Sequence, residues 1–500
     1  MLVPMLSALG VVIVVFAAVV AVDSKLLAAG LILAAVLALL VWKPDLATLG
    51  AVFMLWANVA AAAVRFHHVP PIVAIASFLV LGLPLLYYLV VRREPLRVNR
   101  ALGFMLFYVL VQFASAEFSQ NITESFKSLS VFSLQGIALY FLVLNVVRTP
   151  VLLRRCLWAM VLAGVLLGSL SLVQRVTRTY GHDYAGFAVS HLFTDTDPTA
   201  PPAVDDPEDQ AFLALYPSWR ALGSIGDPNY YAQIMIVLIP IAFMRFWVVP
   251  GWRERTAAGL ALSAILAGVV LSYSRGGTIA LCAVLAGLVA FRYLRVRHVL
   301  PAVVAVILIL AITDPMFIRR VETLAGESGN PLGVDRSILL RKTYLIAGWH
   351  IFLDHPLLGV GFGQAPKFIP RYGRMYGYVQ PPPDAGAHNM YLEMLAETGI
   401  VGFMAFLLVV WAAVKPMFAL RKYWARSHPE YAHTLASLLL GLLAFLVAGI
   451  FLHLSFTRYL YLLLGLCGAA VAIYAPEVQS PAIPLKPVCA PRSEIGATWL

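Results

Sequence analysis

The chain has 500 residues, of which 61% are hydrophobic and only 12% charged, and its formal net charge is +11. A water-soluble chain of this length needs far more polar surface than these residues supply, so a soluble globular protein is excluded. Four cysteines, Cys156, Cys282 and Cys467 in apolar segments and Cys489 near the end, have neither paired nor metal-ligand spacing. Neither a disulfide framework nor a zinc site is implied.

Apolar runs near 3–22, 72–91, 128–147 and 229–249 are almost uncharged, and each is long enough to cross roughly 30 Å of hydrocarbon. Within lipid a helix satisfies its own backbone hydrogen bonds, and these runs are too long and too continuously apolar for barrel strands. The first run lacks a basic leader and a second follows at once, so it reads as a retained helix and not a signal peptide. Spans are expected near 3–22, 26–42, 46–64, 72–91, 101–114, 128–147, 156–174, 229–249, 257–273, 276–291, 299–312, 399–414, 434–453 and 458–474. The fold class is therefore an all-α polytopic transmembrane bundle of 12–14 spans. Its expected units are N-terminal spans at 1–174, a large loop at 175–228, central spans at 229–312, a second large loop at 313–398, C-terminal spans at 399–474 and a disordered tail at 475–500.

Lysine and arginine set the orientation. Alternate short connections are basic: Arg92, Arg93, Arg97 and Arg100 lie in one, Arg148, Arg154 and Arg155 in another. The opposite short connections hold little beyond Lys25, Arg65, Lys127 and Arg275. This contrast puts both termini in the cytoplasm and both long loops outside. The positive charge is then a topology signal, and no nucleic-acid partner is implied.

The two long loops alone have soluble-like composition. The first contains Asp195-Thr-Asp197 and a proline- and acid-rich stretch to Asp209, which favours irregular structure. An Asp-x-Asp pair can hold a divalent ion, but strand signals do not flank this one, and no metal is assigned. The second carries an amphipathic helix near 336–354, then a glycine-rich turn, Gly359-Val-Gly-Phe-Gly.

Ionisable groups at a membrane boundary are costly and prompt functional readings. Arg275, in Leu271-Ser-Tyr-Ser-Arg-Gly-Gly, lies between two spans only a few residues apart. It is either a snorkelled structural arginine or a phosphate clamp, since its planar fork matches phosphate oxygens. Arg220 precedes Asp227-Pro-Asn229, a turn that starts a span and either seats an anion on free amides or is a plain N-cap. Arg336 opens the amphipathic helix, where a surface charge is the default. His388 is the best candidate base, because imidazole titrates near working pH. Asn389 follows it, with Glu393 and Glu397 at successive fours, which either orient the site or cap neighbouring backbone.

The segments Gly223-Ser-Ile-Gly-Asp-Pro-Asn-Tyr-Tyr-Ala, Ser274-Arg-Gly-Gly, Arg336 through Trp349 to Asp354-His-Pro-Leu-Leu-Gly-Val-Gly-Phe-Gly-Gln, and His388-Asn-Met-Tyr-Leu-Glu-Met-Leu-Ala-Glu-Thr-Gly resemble the O-antigen ligase and polymerase superfamily. The resemblance covers roughly residues 215–410 and implies a GT-C-like, metal-independent, inverting glycosyltransferase of the bacterial inner membrane that requires no cofactor. It implies a donor glycan on undecaprenyl pyrophosphate and a periplasmic acceptor, either lipid A core, another glycan or a protein hydroxyl. Arg275 and Arg336 would hold the pyrophosphate with help from Arg220, and His388 would activate the acceptor hydroxyl. Asp227, Asn229, Asn389, Glu393 and Glu397 would line the substrate. Membrane lipids are its other expected partners. A chain polymerase of the same superfamily is the near alternative. A small-anion carrier for inorganic carbon is the rival of another class, and it calls for paired charges or broken helices near the midplane.

Overall fold

The computed structural model describes residues 43–70, 80–192, 219–248, 251–297, 336–382, 386–453 and 457–476. The spans expected at 3–22, 26–42 and 299–312, the first part (72–79) of the span expected at 72–91, the Asp195–Asp197 pair and the tail from 477 lie outside them. Fourteen helices and one two-stranded sheet form among the described residues. Among the described residues six helices are long and apolar enough to cross a membrane, or seven if one bent pair counts as a span. The polytopic helical bundle is as expected.

That bent pair is α1 (Pro44–Trp56) and α2 (Val59–His67), which meet at 60° across Ala57 and Asn58. The sequence predicted one continuous helix. Asn58 is left-handed, with φ 60°. It is buried, gives its amide nitrogen to the Ser224 carbonyl (2.7 Å) and accepts from Arg458 (2.5 Å). Ser224 in turn donates to the Ala57 carbonyl at 2.8 Å. These long-range bonds satisfy the backbone groups that a break exposes.

Next come α3 (Val80–Val91), α4 (Arg100–Glu117), α5 (Ile122–Val146, with a π-helical stretch at Ser133–Ala138) and α6 (Pro150–Thr177). Their starts follow cap chemistry: Asn99 accepts from the Leu102 amide and Thr149 from the Leu152 amide. Proline occupies the first position of α6, where no amide partner is needed. At this end of the bundle the connections 92–100 and 148–155 join: Arg148 pairs with Glu94 at 2.8 Å, and Asn145 accepts from the Arg97 amide.

Strands β1 (Val189–Leu192) and β2 (Trp219–Gly223) pair antiparallel. They flank the stretch that the sequence read as lacking strand signals. A four-residue strand carries almost no periodicity, and what makes it a strand is its partner some thirty residues away.

The remaining helices are α7 (Pro228–Val248), α8 (Trp252–Leu271), α9 (Arg275–Ala290), α10 (Arg336–Asp354), α11 (Ala365–Tyr376), α12 (Met390–Trp424), α13 (Pro429–Ala448) and α14 (Thr457–Tyr474). The centre belongs to α7 and α13, most of whose residues are buried. Small residues bring α6, α7 and α8 together. A side chain on Gly168 would overlap the Ala264 carbonyl, and one on Gly164 would overlap Leu238. Close backbone approach of this kind is how helices associate where lipid gives no hydrophobic drive.

The long helix α12 breaks at Gly399 (φ 63°, ψ −167°). The glycine-rich turn crosses the break and repairs it. Val360 and Gly361 amides donate to the carbonyls of Ala396 (2.9 Å) and Glu397 (3.2 Å). On the far side, the amides of Ile400 and Val401 donate to the carbonyls of Pro356 (2.8 Å) and Leu357 (3.4 Å). The glycine-rich turn and the glycine that ends the His388 segment are thus halves of one joint.

Candidate functional site

The starts of α7, α9 and α12 and the end of α13 come together at one end of the bundle. At the start of α7, Asp227 Oδ1 accepts from the amides of Asn229 (2.8 Å) and Tyr230 (3.0 Å). The plain N-cap is therefore what forms, and the carboxylate itself takes the amides that an anion would need. Asn229 Oδ1 accepts from Ser274 Oγ at 2.8 Å, and that oxygen accepts from the Gly277 amide at 3.1 Å. Ser274 thereby caps α9 and ties it to α7. Arg275 is the first residue of α9 and half-buried. The two glycines after it are needed for fit: a Cβ at Gly276 would lie 2.9 Å from Phe451, and one at Gly277 2.9 Å from Ala232.

Arg220 on β2 reaches the end of α8. Its Nε donates to the Ser272 carbonyl (3.0 Å) and its Nη2 to the Tyr273 carbonyl (3.4 Å). A guanidinium there satisfies orphan carbonyls and complements the helix dipole. This shapes the turn that delivers Arg275.

His388 lies just before α12 in a left-handed conformation, φ 48°. Asn389 caps that helix, accepting from the amides of Tyr391 and Leu392 at 3.0 Å each. The imidazole stacks on Tyr344 of α10 (5.0 Å between centroids, 28° between planes) and meets His453 edge-on (5.1 Å, 84°). His453 follows α13; its carbonyl accepts from the Tyr230 hydroxyl at 2.6 Å, and its ring packs edge-on against Tyr230. Burial holds the His388 pKa below the ordinary 6.5; Arg341 pushes the same way and Asp227 opposes. Burial, with His388 beside it, takes His453 down to about 4. Both rings are therefore neutral at neutral pH, and the lone pair of His388 is open to a proton.

A continuous path of contacts thus runs from Arg275 through Ser274 and Asn229 to the first turn of α7, then by Tyr230 and His453 to His388. Arg336 begins α10, the helix that carries Tyr344, eight residues or about 12 Å further along its axis.

The two glutamates separate. Glu393 is buried in the first turn of α12. Glu397, also buried, accepts from the Ala365 amide at 3.2 Å and from the Gly363 amide. Of its two readings, backbone capping is the one that forms: it anchors the start of α11 and the glycine-rich turn. Among the described residues no cluster of three metal-ligating side chains occurs.

His453, Arg341 and the Asn58–Arg458 pair were not identified from the sequence. His453 had a usable signal, an ionisable residue ending an apolar run. Asn58 had none, because its role exists only once Ser224 and Arg458 are beside it.

Fold and site together define a multi-pass membrane protein whose polar, chemically competent groups collect where several helices start and end. The O-antigen ligase family model matches residues 258–407, which run from α8 through the first half of α12 and include Arg275, Arg336 and His388. That match supports the resemblance to the O-antigen ligase superfamily over this part of the chain. No curated protein matches it.

Proposed function

We propose that the chain transfers a glycan from undecaprenyl pyrophosphate to an acceptor hydroxyl on the periplasmic face of the bacterial inner membrane, as an O-antigen ligase does. One observation carries this reading: a neutral, half-buried imidazole, His388, is held by Tyr344 and His453 at the same helix ends that present Arg275. A ring nitrogen of His388 takes the proton of the acceptor hydroxyl. The freed oxygen attacks the anomeric carbon opposite the pyrophosphate, and the carbon–oxygen bond to the phosphate breaks with its electron pair leaving on the lipid. Inversion at the anomeric carbon follows.

Negative charge grows on the departing pyrophosphate, and the guanidinium groups of Arg275 and Arg336 stabilise it. Fixed donors near a low-dielectric boundary are worth more than in water and need no divalent ion. Asp227 and Asn229 serve the site by fixing the starts of α7 and α9, Asn389 and Glu393 border the acceptor, and Arg220 and Glu397 hold the surrounding turns.

A polymerase would run the same bond changes with a second lipid-linked glycan as acceptor. The carrier reading gains one feature, the broken α1–α2 pair, but its polar atoms are already engaged by Ser224 and Arg458. The test is reconstitution of the full chain in liposomes with an undecaprenyl-pyrophosphate glycan, offering lipid A core or a second lipid-linked glycan, with and without EDTA. Transfer that survives chelation and disappears in His388→Ala supports the mechanism, and the productive acceptor separates ligase from polymerase. Complete loss on chelation, or full activity in His388→Ala, refutes it.

A further inference from the structure

Helix α10 has two apolar faces, and among the described residues only one is packed against the rest of the protein. Tyr344, Ala347 and Ile351 are buried, packed with Ala365, Phe368, Ile369 and Tyr372 of α11. Gly348 sits against Leu392 at the start of α12, where a Cβ would be 2.9 Å from its side chain. At 100° per residue, Leu345, Trp349 and Leu353 form a second stripe centred about half a turn away. These three side chains are 43%, 49% and 51% exposed. Single exposed apolar residues need no explanation, but three in one row at fours, one a tryptophan, form a surface that water does not stabilise.

The stripe does not end with the helix. Leu357, 66% exposed, follows it, and the joint at Gly399 sets Leu357 beside Val401 and Pro356 beside Ile400. From there Ile400, Met404, Leu408 and Trp411 continue as exposed apolar residues along the spanning part of α12. Past Asp354 and His355, exposed apolar residues therefore continue from α10, too polar at its start to span, onto α12, which is long and apolar enough to cross a membrane. At the start of the band Lys342 is exposed on the same side of α10, where a long cationic stem can reach phosphate headgroups while its carbons lie along the stripe.

We propose that α10 lies in the lipid surface, with Leu345, Trp349 and Leu353 inserted among the acyl chains and Lys342 at the headgroups. A helix with one face on protein and the other in the membrane boundary is held like an interfacial anchor, and tryptophan is the side chain best suited to that depth. The roof of the candidate site, Tyr344 over His388, then rests directly on the membrane. The inference depends on α12 crossing the bilayer and not on the identity of the glycan.

The test uses the full chain in lipid nanodiscs with Cys282 and Cys489 replaced by serine; Cys156 and Cys467 are fully buried. A nitroxide is attached in turn at Leu345→Cys, Trp349→Cys and Leu353→Cys. Met404→Cys is the lipid reference, and Arg426→Cys, exposed between α12 and α13, is the aqueous one. Oxygen partitions into lipid and a nickel chelate stays in water. The expected result is an oxygen-to-nickel accessibility ratio at 349 and 353 matching that at 404 and several-fold above that at 426. Nickel accessibility equal to the 426 label would overturn the proposal in favour of a solvated face. Protection from both reagents would overturn it in favour of a protein cover, whether a partner or another part of this chain. Because no glycan donor is present, failure here leaves the transferase reading standing.

Discussion

Replacing Gly399 with alanine tests the joint on which the site is mounted. The backbone there, φ 63° and ψ −167°, is in a region open essentially to glycine alone, and a residue with a side chain pays about 1–3 kcal/mol to occupy it. The new methyl would also overlap the Leu357 carbonyl. Relieving that overlap pulls apart the bonds from Ile400 to Pro356 and from Val401 to Leu357, each worth about 1 kcal/mol net. Together the loss is about 3–5 kcal/mol, a large part of the roughly 5–15 kcal/mol that keeps a typical domain folded. Thermal unfolding of the purified chain in detergent measures it. Gly103→Ala is the matched control: it lies within α4 with nothing within 4 Å of the added methyl, so it gains up to about 1 kcal/mol from helix propensity. If Gly399→Ala melts at or above the wild-type temperature, the stitched break is not a structural joint and the argument fails.

The pH dependence of transfer follows from His388. A base must be neutral to act, and burial lowers its pKa below 6.5, so the rate is level around neutrality and falls only as pH drops below that value. Asp227→Asn keeps a capping side chain but removes the charge that holds the His388 pKa up, so its acidic limb moves to lower pH. A wild-type limb at or above 6.5, or a shift to higher pH in the variant, counts against His388 as the base. Arg275→Lys keeps the charge and loses the planar fork, so transfer should drop almost as far as in Arg275→Ala while membrane insertion, read by fractionation, is unchanged. Full activity in the lysine variant would leave Arg275 as a point charge at most.

The elements legible in the sequence were those whose cause is local. Uncharged apolar runs marked the helices of the bundle, six or seven of which among the described residues are long and apolar enough to span, and the amphipathic pattern marked α10 over its full extent, Arg336–Asp354. Asp227 and Asn389 could be read as cap residues because capping joins neighbours two and three positions apart. What stayed hidden depends on distant partners. The break after Trp56 exists because Ser224 and Arg458 satisfy it. His453 matters only because the fold brings it against His388, and Glu397 is a backbone cap only because the turn at Gly363 folds onto it. The resemblance implied that Arg220 assists at the pyrophosphate, yet the carbonyls it meets lie at the end of a helix about fifty residues later.

The repaired break in α12 also sets a length. Between Met390 and Gly399 the helix is continuous, a strut of roughly 14 Å at the usual rise per residue. Its lower end is clamped by the Val360 and Gly361 amides on the Ala396 and Glu397 carbonyls, and His388 stands just before its upper end. The height of His388 over the long apolar shaft of α12 is thus set by the ten residues Met390–Gly399, and a bilayer of another thickness would move shaft, strut and ring together without changing that height.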